Sequence, residues 1–149
     1  MMLRKVDLQN LSLANELYTV QQKSYTIEAE LIGFLDIPPL KETFDELLSC
    51  QEEFIGYFID EKLVGAVSYS LEDETVHICR LIVDPAHFRK GIAQKLLAHL
   101  QNEGSPERMI VSTGKDNHPA ISLYLKNGFK LIRDIEAAPG FYLSLFEKR

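Results

Sequence analysis

Residues 81–97 read Leu81-Ile82-Val83-Asp84-Pro85-Ala86-His87-Phe88-Arg89-Lys90-Gly91-Ile92-Ala93-Gln94-Lys95-Leu96-Leu97. A β-branched strand end runs through a short turn into a glycine that opens a helix, because Ile92, Ala93, Leu96, Leu97 and Leu100 recur at helical spacing and form one apolar face. That face packs on a core and holds the helix N-terminus in place. The first N–H groups of a helix have no intrahelical acceptor, and the helix dipole concentrates partial positive charge there, so an anion satisfies both. Gly91 adopts backbone angles other residues avoid and, lacking Cβ, lets an oxygen approach, while Arg89 and Lys90 add charge beside the same amides. The stretch predicts a phosphate site; its alternative is an ordinary strand-to-helix connection with two solvated cations.

Two other phosphate loops are excluded. The chain has no Gly-x-x-x-x-Gly-Lys-Ser/Thr and no Gly-x-Gly-x-x-Gly after a first strand. A nucleoside triphosphatase and a dinucleotide dehydrogenase are therefore set aside.

The 149 residues fit one domain, expected over 1–149, and this length can bury roughly two-thirds of the unfolded surface. No apolar run approaches the ~20 residues that span a bilayer, and Met1-Met2-Leu3-Arg4-Lys5 lacks the apolar stretch of a signal peptide. The expectation is a cytoplasmic protein without a membrane partner. Cys50 and Cys79 are the only cysteines, too few for a disulfide framework or a four-cysteine zinc site, and the four histidines have no ligand spacing, so no metal is implied. Net charge is −6 but uneven: residues 1–83 carry six Lys/Arg against fifteen Asp/Glu, and residues 84–149 carry ten against seven. The basic half holds the phosphate loop, and the acidic half favours a cationic partner. Nucleic acid is not expected as a partner, since it wants a basic face with interleaved aromatics.

Outward from the opening stretch, the periodicity predicts a strand at Arg4–Asp7, a long helix from Leu11, a bent segment over Leu31–Leu40 and a short helix at Thr43–Ser49. Strands follow at Phe54–Ile59, Leu63–Leu71 and Thr75–Val83, the first two joined through Asp60-Glu61-Lys62. The glycine-led helix runs from Lys90 to Glu103. A strand at Arg108–Thr113, a helix at Pro119–Asn127 and a strand pair at Lys130–Glu136 and Phe141–Phe146 complete the order. The strand–helix–strand unit after Val83 requires a parallel pairing with a right-handed crossover. The fold class is α/β, of the α+β kind, with a mixed sheet and helices on both faces.

A second motif, Asn117-His118-Pro119-Ala120-Ile121-Ser122-Leu123-Tyr124-Leu125-Lys126-Asn127-Gly128-Phe129, makes the first specific. An Asn before an Ala, then Leu-Tyr, then Gly-Phe opening the next strand resembles the GNAT superfamily of acetyl-coenzyme A-dependent N-acetyltransferases. The earlier landmark of that family, a Val-x-Pro strand end followed by Arg/Gln-x-x-Gly-x-Gly/Ala, is similar to Val83-Asp84-Pro85 with Phe88 to Ala93. Phe88 departs from the usual Arg or Gln. The resemblance implies a mostly antiparallel sheet of about six to seven strands and acetyl-CoA as acetyl donor. It also implies two central strands that splay after a bulge in Thr75–Val83. Main-chain groups of Leu81, Ile82 and Val83 would then bind pantetheine, and the amides of Arg89, Lys90, Gly91, Ile92 and Ala93 the pyrophosphate.

An amine attacking a thioester needs orientation, an oxyanion donor, an acid for the leaving thiolate and a base for the amine. Tyr124 suits the acid, since a phenol of pKa ~10 is protonated at neutral pH and can protonate a thiolate whose acid titrates near ~8.5. Its alternative is a packing tyrosine. Asn117, two helical turns earlier, is placed to hydrogen-bond the cofactor arm. Glu74 or His77, upstream of the cofactor strand, are the candidate bases, each equally readable as a polar group at a strand edge. Tyr25, Phe34, Asp36, Glu42 and Tyr142 are candidates to line the acceptor site. The expected partners are acetyl-CoA and a primary amine on a small molecule or peptide, and a homodimer is possible. The competing function is an acyl-CoA sensor without transfer; a phosphate-binding domain unrelated to coenzyme A leaves the second motif unexplained.

Overall fold

In the computed structural model, which describes residues 2–103 and 106–149, seven strands form one sheet in the order β1-β2-β3-β4-β5-β7-β6. β1 (Met2–Lys5), β2 (Glu53–Ile59), β3 (Lys62–Glu72) and β4 (Thr75–Val83) make an antiparallel half, and β5 (Arg108–Gly114), β7 (Phe141–Lys148) and β6 (Lys130–Ala138) a second. Among the described residues the only parallel pairing joins β4 to β5. The family's mixed sheet is observed with seven strands.

Alternation of side chains along the strands supplies two cores. Phe54, Phe58, Leu63, Ala66 and Ile82 meet Leu17 and Val20 of α1 (Leu11–Ile32) and Leu47 of α2 (Phe44–Ser49) on one face. On the other, Ile55, Tyr57, Val64 and Val67 meet Ile92, Leu96, Leu97 and Leu100 of α3 (Ile92–Asn102) and Tyr124 of α4 (His118–Lys126). A smaller cluster of Ala29, Ile37 and Phe141 closes the end where α1 leaves the sheet.

Local chemistry sets the element boundaries. α1 begins at Asn10, whose side chain accepts from the Leu13 amide, and ends at Gly33 in the left-handed region at φ 71°. The first strand lies at Met2–Lys5 rather than Arg4–Asp7, because Asp7 is drawn into a turn by accepting from the Gln9 amide at 2.9 Å. α2 carries a capping box, with Thr43 accepting from the Glu46 amide and Glu46 accepting from the Thr43 amide. The β2–β3 hairpin turns through Asp60 and Glu61 alone, both at positive φ, which matches the twist of the strands. α3 starts at Ile92 rather than Lys90, since Arg89 (φ 65°) and Gly91 (φ 74°) are both left-handed.

Candidate active site

The central opening of the sheet begins at a bulge. Along β3–β4, Ser68 faces Arg80 and Tyr69 faces Ile78, which leaves Cys79 as the extra residue on β4. β4 pairs with β5 only from Thr75–Arg108 to Ile78–Val111. Beyond that point β5 stays bonded to β7 as far as Gly114–Leu143, while β4 stays with β3 as far as Val83–Gly65. The two strands therefore part just past the bulge, and a cleft opens between them.

The antiparallel alternation decides which peptides of β4 face this cleft. Asp84 donates its amide to the Val64 carbonyl at 2.8 Å, so Ile82 and Arg80, two and four residues earlier, also turn their main chain toward β3. Leu81 and Val83 turn theirs toward the opening. Of the three expected pantetheine residues, Leu81 and Val83 therefore offer main-chain groups, and Ile82 does not: its peptide belongs to the ladder and its side chain is buried. The Val83 amide meets Ser24 Oγ of α1 at 3.4 Å, a long contact that leaves α1 leaning over the cleft.

At the end of β4 the chain reaches α3. Asn10, Thr43 and Asn117 cap the other three α-helices with side chains, but Gly91 caps α3 with none. The first helical bond is Lys95 N–H to Gly91 O at 3.0 Å, so the amides of Ile92, Ala93 and Gln94 have no helical acceptor. A Cβ on Gly91 would meet nothing within 4 Å; its glycine serves the left-handed turn and not a tight fit. Arg89, Lys90 and Phe88 are exposed on the turn, while Ile92 contributes only its peptide because its side chain is buried. These groups fit the diphosphate and amide chain of a coenzyme A arm: open strand edge first, uncapped helix end second.

Tyr124 is 4% exposed and lies against Phe129 and Phe146, with ring centroids 5.6 and 5.9 Å away. Gly128, at φ 89°, turns the chain back so that the Phe129 amide bonds the Tyr124 carbonyl at 3.0 Å, which explains physically why Gly-Phe follows Leu-Tyr. Among the described residues nothing hydrogen-bonds the Tyr124 hydroxyl, and it is not a sealed atom. Burial, and secondarily the charge of Glu28, push its phenol well above the ordinary tyrosine range.

Asn117, expected to reach the cofactor arm, is engaged within the protein. It precedes α4 as its N-cap, accepting from the Ala120 amide through Oδ1. Its Nδ2 donates to Glu28 Oε1 at 2.9 Å and to Thr113 Oγ1 at 3.2 Å, so the side chain joins α1, β5 and α4 at the open end of the cleft.

The bulge also aims Arg80 toward α1 and α2. Its guanidinium grips two carboxylates in bidentate fashion: Glu42 through Nη1 and Nη2 at 2.5 and 2.9 Å, and Glu52 through Nε and Nη2 at 2.8 and 3.0 Å. Gln21 accepts from Arg80 and donates to Glu42, and Ser68 donates to Glu52 at 2.6 Å. Burial alone would lift the Glu52 carboxyl, but hydrogen bonds from Arg80 and Ser68 and the Arg80 charge hold it below its ordinary value. Glu42, expected to face an acceptor, is instead committed to this knot.

Other expected residues divide by distance from the cleft. Glu74 stands in the turn before β4, and eight strand residues separate it from Val83, roughly 25 Å at strand rise. His77 pairs opposite Ser70 and Ile110, in the stretch where β4 and β5 are still closed, with Glu72 as a distant neighbour at 3.9 Å. Glu74 lies at the far end of β4 from the turn into α3, whereas His77 sits one residue before the last β4–β5 pair, at the closed end from which the cleft opens. Asp36 is an exposed partner of Lys41 at 3.1 Å. Phe34 stacks on Phe141 at 5.1 Å, and Tyr142 lies at the rim over Lys115. Tyr25 does reach the centre; burial first, then Glu28, raises its phenol.

Glu28 is a further side chain at the cleft, one that the sequence reading did not single out. It projects from α1 into the end of the cleft, held by Asn117 and Thr113. Its signal was a polar stripe, Gln21, Ser24, Tyr25 and Glu28, at three- and four-residue spacing on the same helical face as Leu17 and Ile32. Among the described residues no group of three or more His, Cys, Asp or Glu is placed to hold a metal ion, and no helix is long and apolar enough to cross a membrane.

The sequence model of the acetyltransferase (GNAT) family matches residues 14–129. The UPF0157 protein YqkA of Bacillus subtilis (strain 168) is 39% identical over 136 residues, covering 91% of this chain and 40% of that protein. The chain thus spans about two-fifths of that curated relative. Among solved structures, the PaiA N-acetyltransferase of Thermoplasma acidophilum in complex with coenzyme A superposes with a TM-score of 0.80 at 20% identity, covering 99% of this chain and 98% of that one. The ribosomal-protein-S18-alanine N-acetyltransferase of Escherichia coli superposes with a TM-score of 0.79 at 14% identity, covering 99% and 92%. At such identities the likeness is one of fold.

Proposed function

The chain belongs to the acetyltransferase (GNAT) family, and from that premise we propose that it transfers acetyl from acetyl-CoA to a primary amine by direct attack in a ternary complex. The observation that carries this reading is the cleft where β4 leaves β5, which runs from an unbonded strand edge to an uncapped helix N-terminus and contains an unpartnered phenol.

In this reading the main chain of Leu81 and Val83 holds the pantetheine arm like an added strand, and the amides from Arg89 to Ala93 hold the diphosphate. Bound acetyl-CoA supplies the thioester carbonyl. An amide of the Leu81–Val83 stretch polarises that carbonyl, and Tyr124 donates its hydroxyl proton to the leaving sulfur. Burial keeps the proton on the Tyr124 phenol in the resting site and makes its release to the sulfur the more costly part of the step. In this reading α1 and the start of β7 flank the acceptor side, and the acceptor is a primary amine of a small molecule or a peptide.

Acetyl-CoA at one hundred times its dissociation constant should stabilise the protein by about 2.7 kcal/mol, a rise of roughly 5–10 °C in melting temperature, with ATP and NAD giving far less. No shift at saturating acetyl-CoA would overturn the reading of the cleft. A thiol-release screen over small amines and peptides then tests transfer. Binding without release across a broad panel would instead identify an acyl-CoA sensor.

A further inference from the structure

We propose that Glu28 is the group that binds the acceptor ammonium in the cleft and takes its proton, a role that rests on the acetyltransferase reading above. The argument begins with how its two carboxylate oxygens are used. Oε1 accepts from Asn117 Nδ2 at 2.9 Å and from Thr113 Oγ1 at 3.4 Å. Oε2 accepts from nothing among the described residues, and it is not enclosed, since the one enclosed side-chain N or O without a partner there is Gln22 Nε2. One oxygen is anchored and the other is presented. The open oxygen is thus available to an incoming donor, while the anchored one fixes the direction of the carboxylate.

Its anchors place it where β5 has left β4. Thr113 is on β5 beyond the last β4 pairing, and Asn117 opens the helix that carries Tyr124. The charge of Glu28 is felt at both the Tyr124 and Tyr25 phenols. Tyr124 and Glu28 are thus a neighbouring acid and base in one opening, each with a free oxygen. The titratable and charged groups around Glu28 are Tyr25 on its own helix, Tyr124 on α4 and, reaching it through Tyr25, Arg80 on β4 with its partner Glu52. Arg80 is neutralised by two carboxylates, so no unpaired cation competes for Glu28. Burial raises the Glu28 carboxyl above its ordinary value, and its two hydrogen bonds only partly oppose this, which makes it a better proton acceptor than an exposed glutamate.

The proton balance closes with groups already present. Glu28 Oε2 takes one proton from the ammonium and passes it to solvent. The freed nitrogen lone pair attacks the acetyl carbon, and the N–C bond forms. As the C–S bond breaks, its electron pair leaves with sulfur, which takes the Tyr124 proton. The second proton lost by nitrogen, relayed by water, restores the phenol. The products are the acetamide, coenzyme A thiol and one proton in solution.

Glu28→Gln tests the proposal because a glutamine keeps the size of the side chain and the acceptor for Asn117 and Thr113 but takes no proton. With n-butylamine or an alanine dipeptide amide as probe, kcat/KM should fall by about 100-fold or more, and the acidic limb of its pH profile should vanish. The melting temperature at neutral pH should rise, because a carboxyl whose folded pKa is raised opposes folding above that value. Carboxyl carbon NMR of the wild-type protein with coenzyme A should show the Glu28 midpoint moving down when the amine is added. Retention of wild-type kcat/KM and its acidic limb by the variant would overturn the role of Glu28, as would a fall in activity accompanied by a fall in melting temperature. A midpoint unmoved by amine would also overturn it. A midpoint that moves with the amine while no acetylated amine forms would leave Glu28 as the ammonium site and overturn acetyl transfer.

Discussion

In the proposed reading, the donor side of the cleft and its acceptor side are made from different materials. The donor side, Leu81 to Ala93, is main chain: one strand edge, two left-handed turns and the bare end of α3. The acceptor side is side chains brought from distant segments; Glu28 and Asn117 are 89 residues apart, and Gln21 and Arg80 are 59 apart. A main-chain site tolerates most side chains at its positions, which is why Phe88 can replace the usual Arg or Gln of the family pattern and leave the turn intact. A side-chain site has no such tolerance. Each of its groups is held by another, so one substitution strands its partners.

That contrast can be broken first at Arg80. Arg80→Met removes the cation from between Glu42 and Glu52 and leaves two buried carboxylates, which should cost about 3–5 kcal/mol and lower the melting temperature by roughly 10 °C or more. Glu52 has a folded pKa below its ordinary value of 4.5, so its contribution to stability is complete above that value and is lost as the pH falls through the lower folded one. In Arg80→Met that acid-side loss should disappear from the stability profile. A variant as stable as the wild type at neutral pH would show that the acceptor side does not depend on its charge knot.

Tyr124→Phe keeps the ring against Phe129 and Phe146 and removes only the hydroxyl, which has no protein partner. We expect kcat to fall by about 100-fold with acetyl-CoA affinity within about threefold of wild type. Unchanged turnover would remove the phenol from the chemistry and leave it a packing residue. On the donor side the effect should be smaller. Gly91→Ala places a Cβ in open space but at φ 74°, so it should cost about 1 kcal/mol of stability and lower cofactor affinity severalfold, with kcat at saturation nearly unchanged. A loss of kcat comparable to that of Tyr124→Phe would erase the distinction between the two sides.

The difference in materials also explains what could be read beforehand. Hydrophobic periodicity located every described strand and α-helix to within a few residues, because burial of one face is written locally in the spacing of apolar side chains, while the short 3-10 helices Pro38–Lys41 and Pro85–His87 left no such pattern. The α3 turn was readable for the same reason, since a glycine between a basic pair and an apolar helix states its own backbone geometry. Tyr124 was readable through its neighbours Gly128 and Phe129. Glu74 stands far from the turn into α3 because nearness along the chain is not nearness in space, and an extended strand carries its start far from its end. Asp36 and Glu42 failed because a charge in an acidic stretch does not announce its partner. Asp36 found Lys41, and Glu42 found Arg80 from the far side of the bulge.

By itself the sequence determined the order of elements, the family and the glycine turn that opens α3, all of which rest on interactions within one or two turns of chain. Tertiary structure decided where β4 parts from β5, which peptides of β4 stay free, and that Glu28 of α1 stands beside Tyr124 of α4. Those outcomes depend on a one-residue slip at Cys79 and on contacts between segments up to 89 residues apart. Such contacts are set by packing of the whole sheet against its helices and leave no local pattern to read.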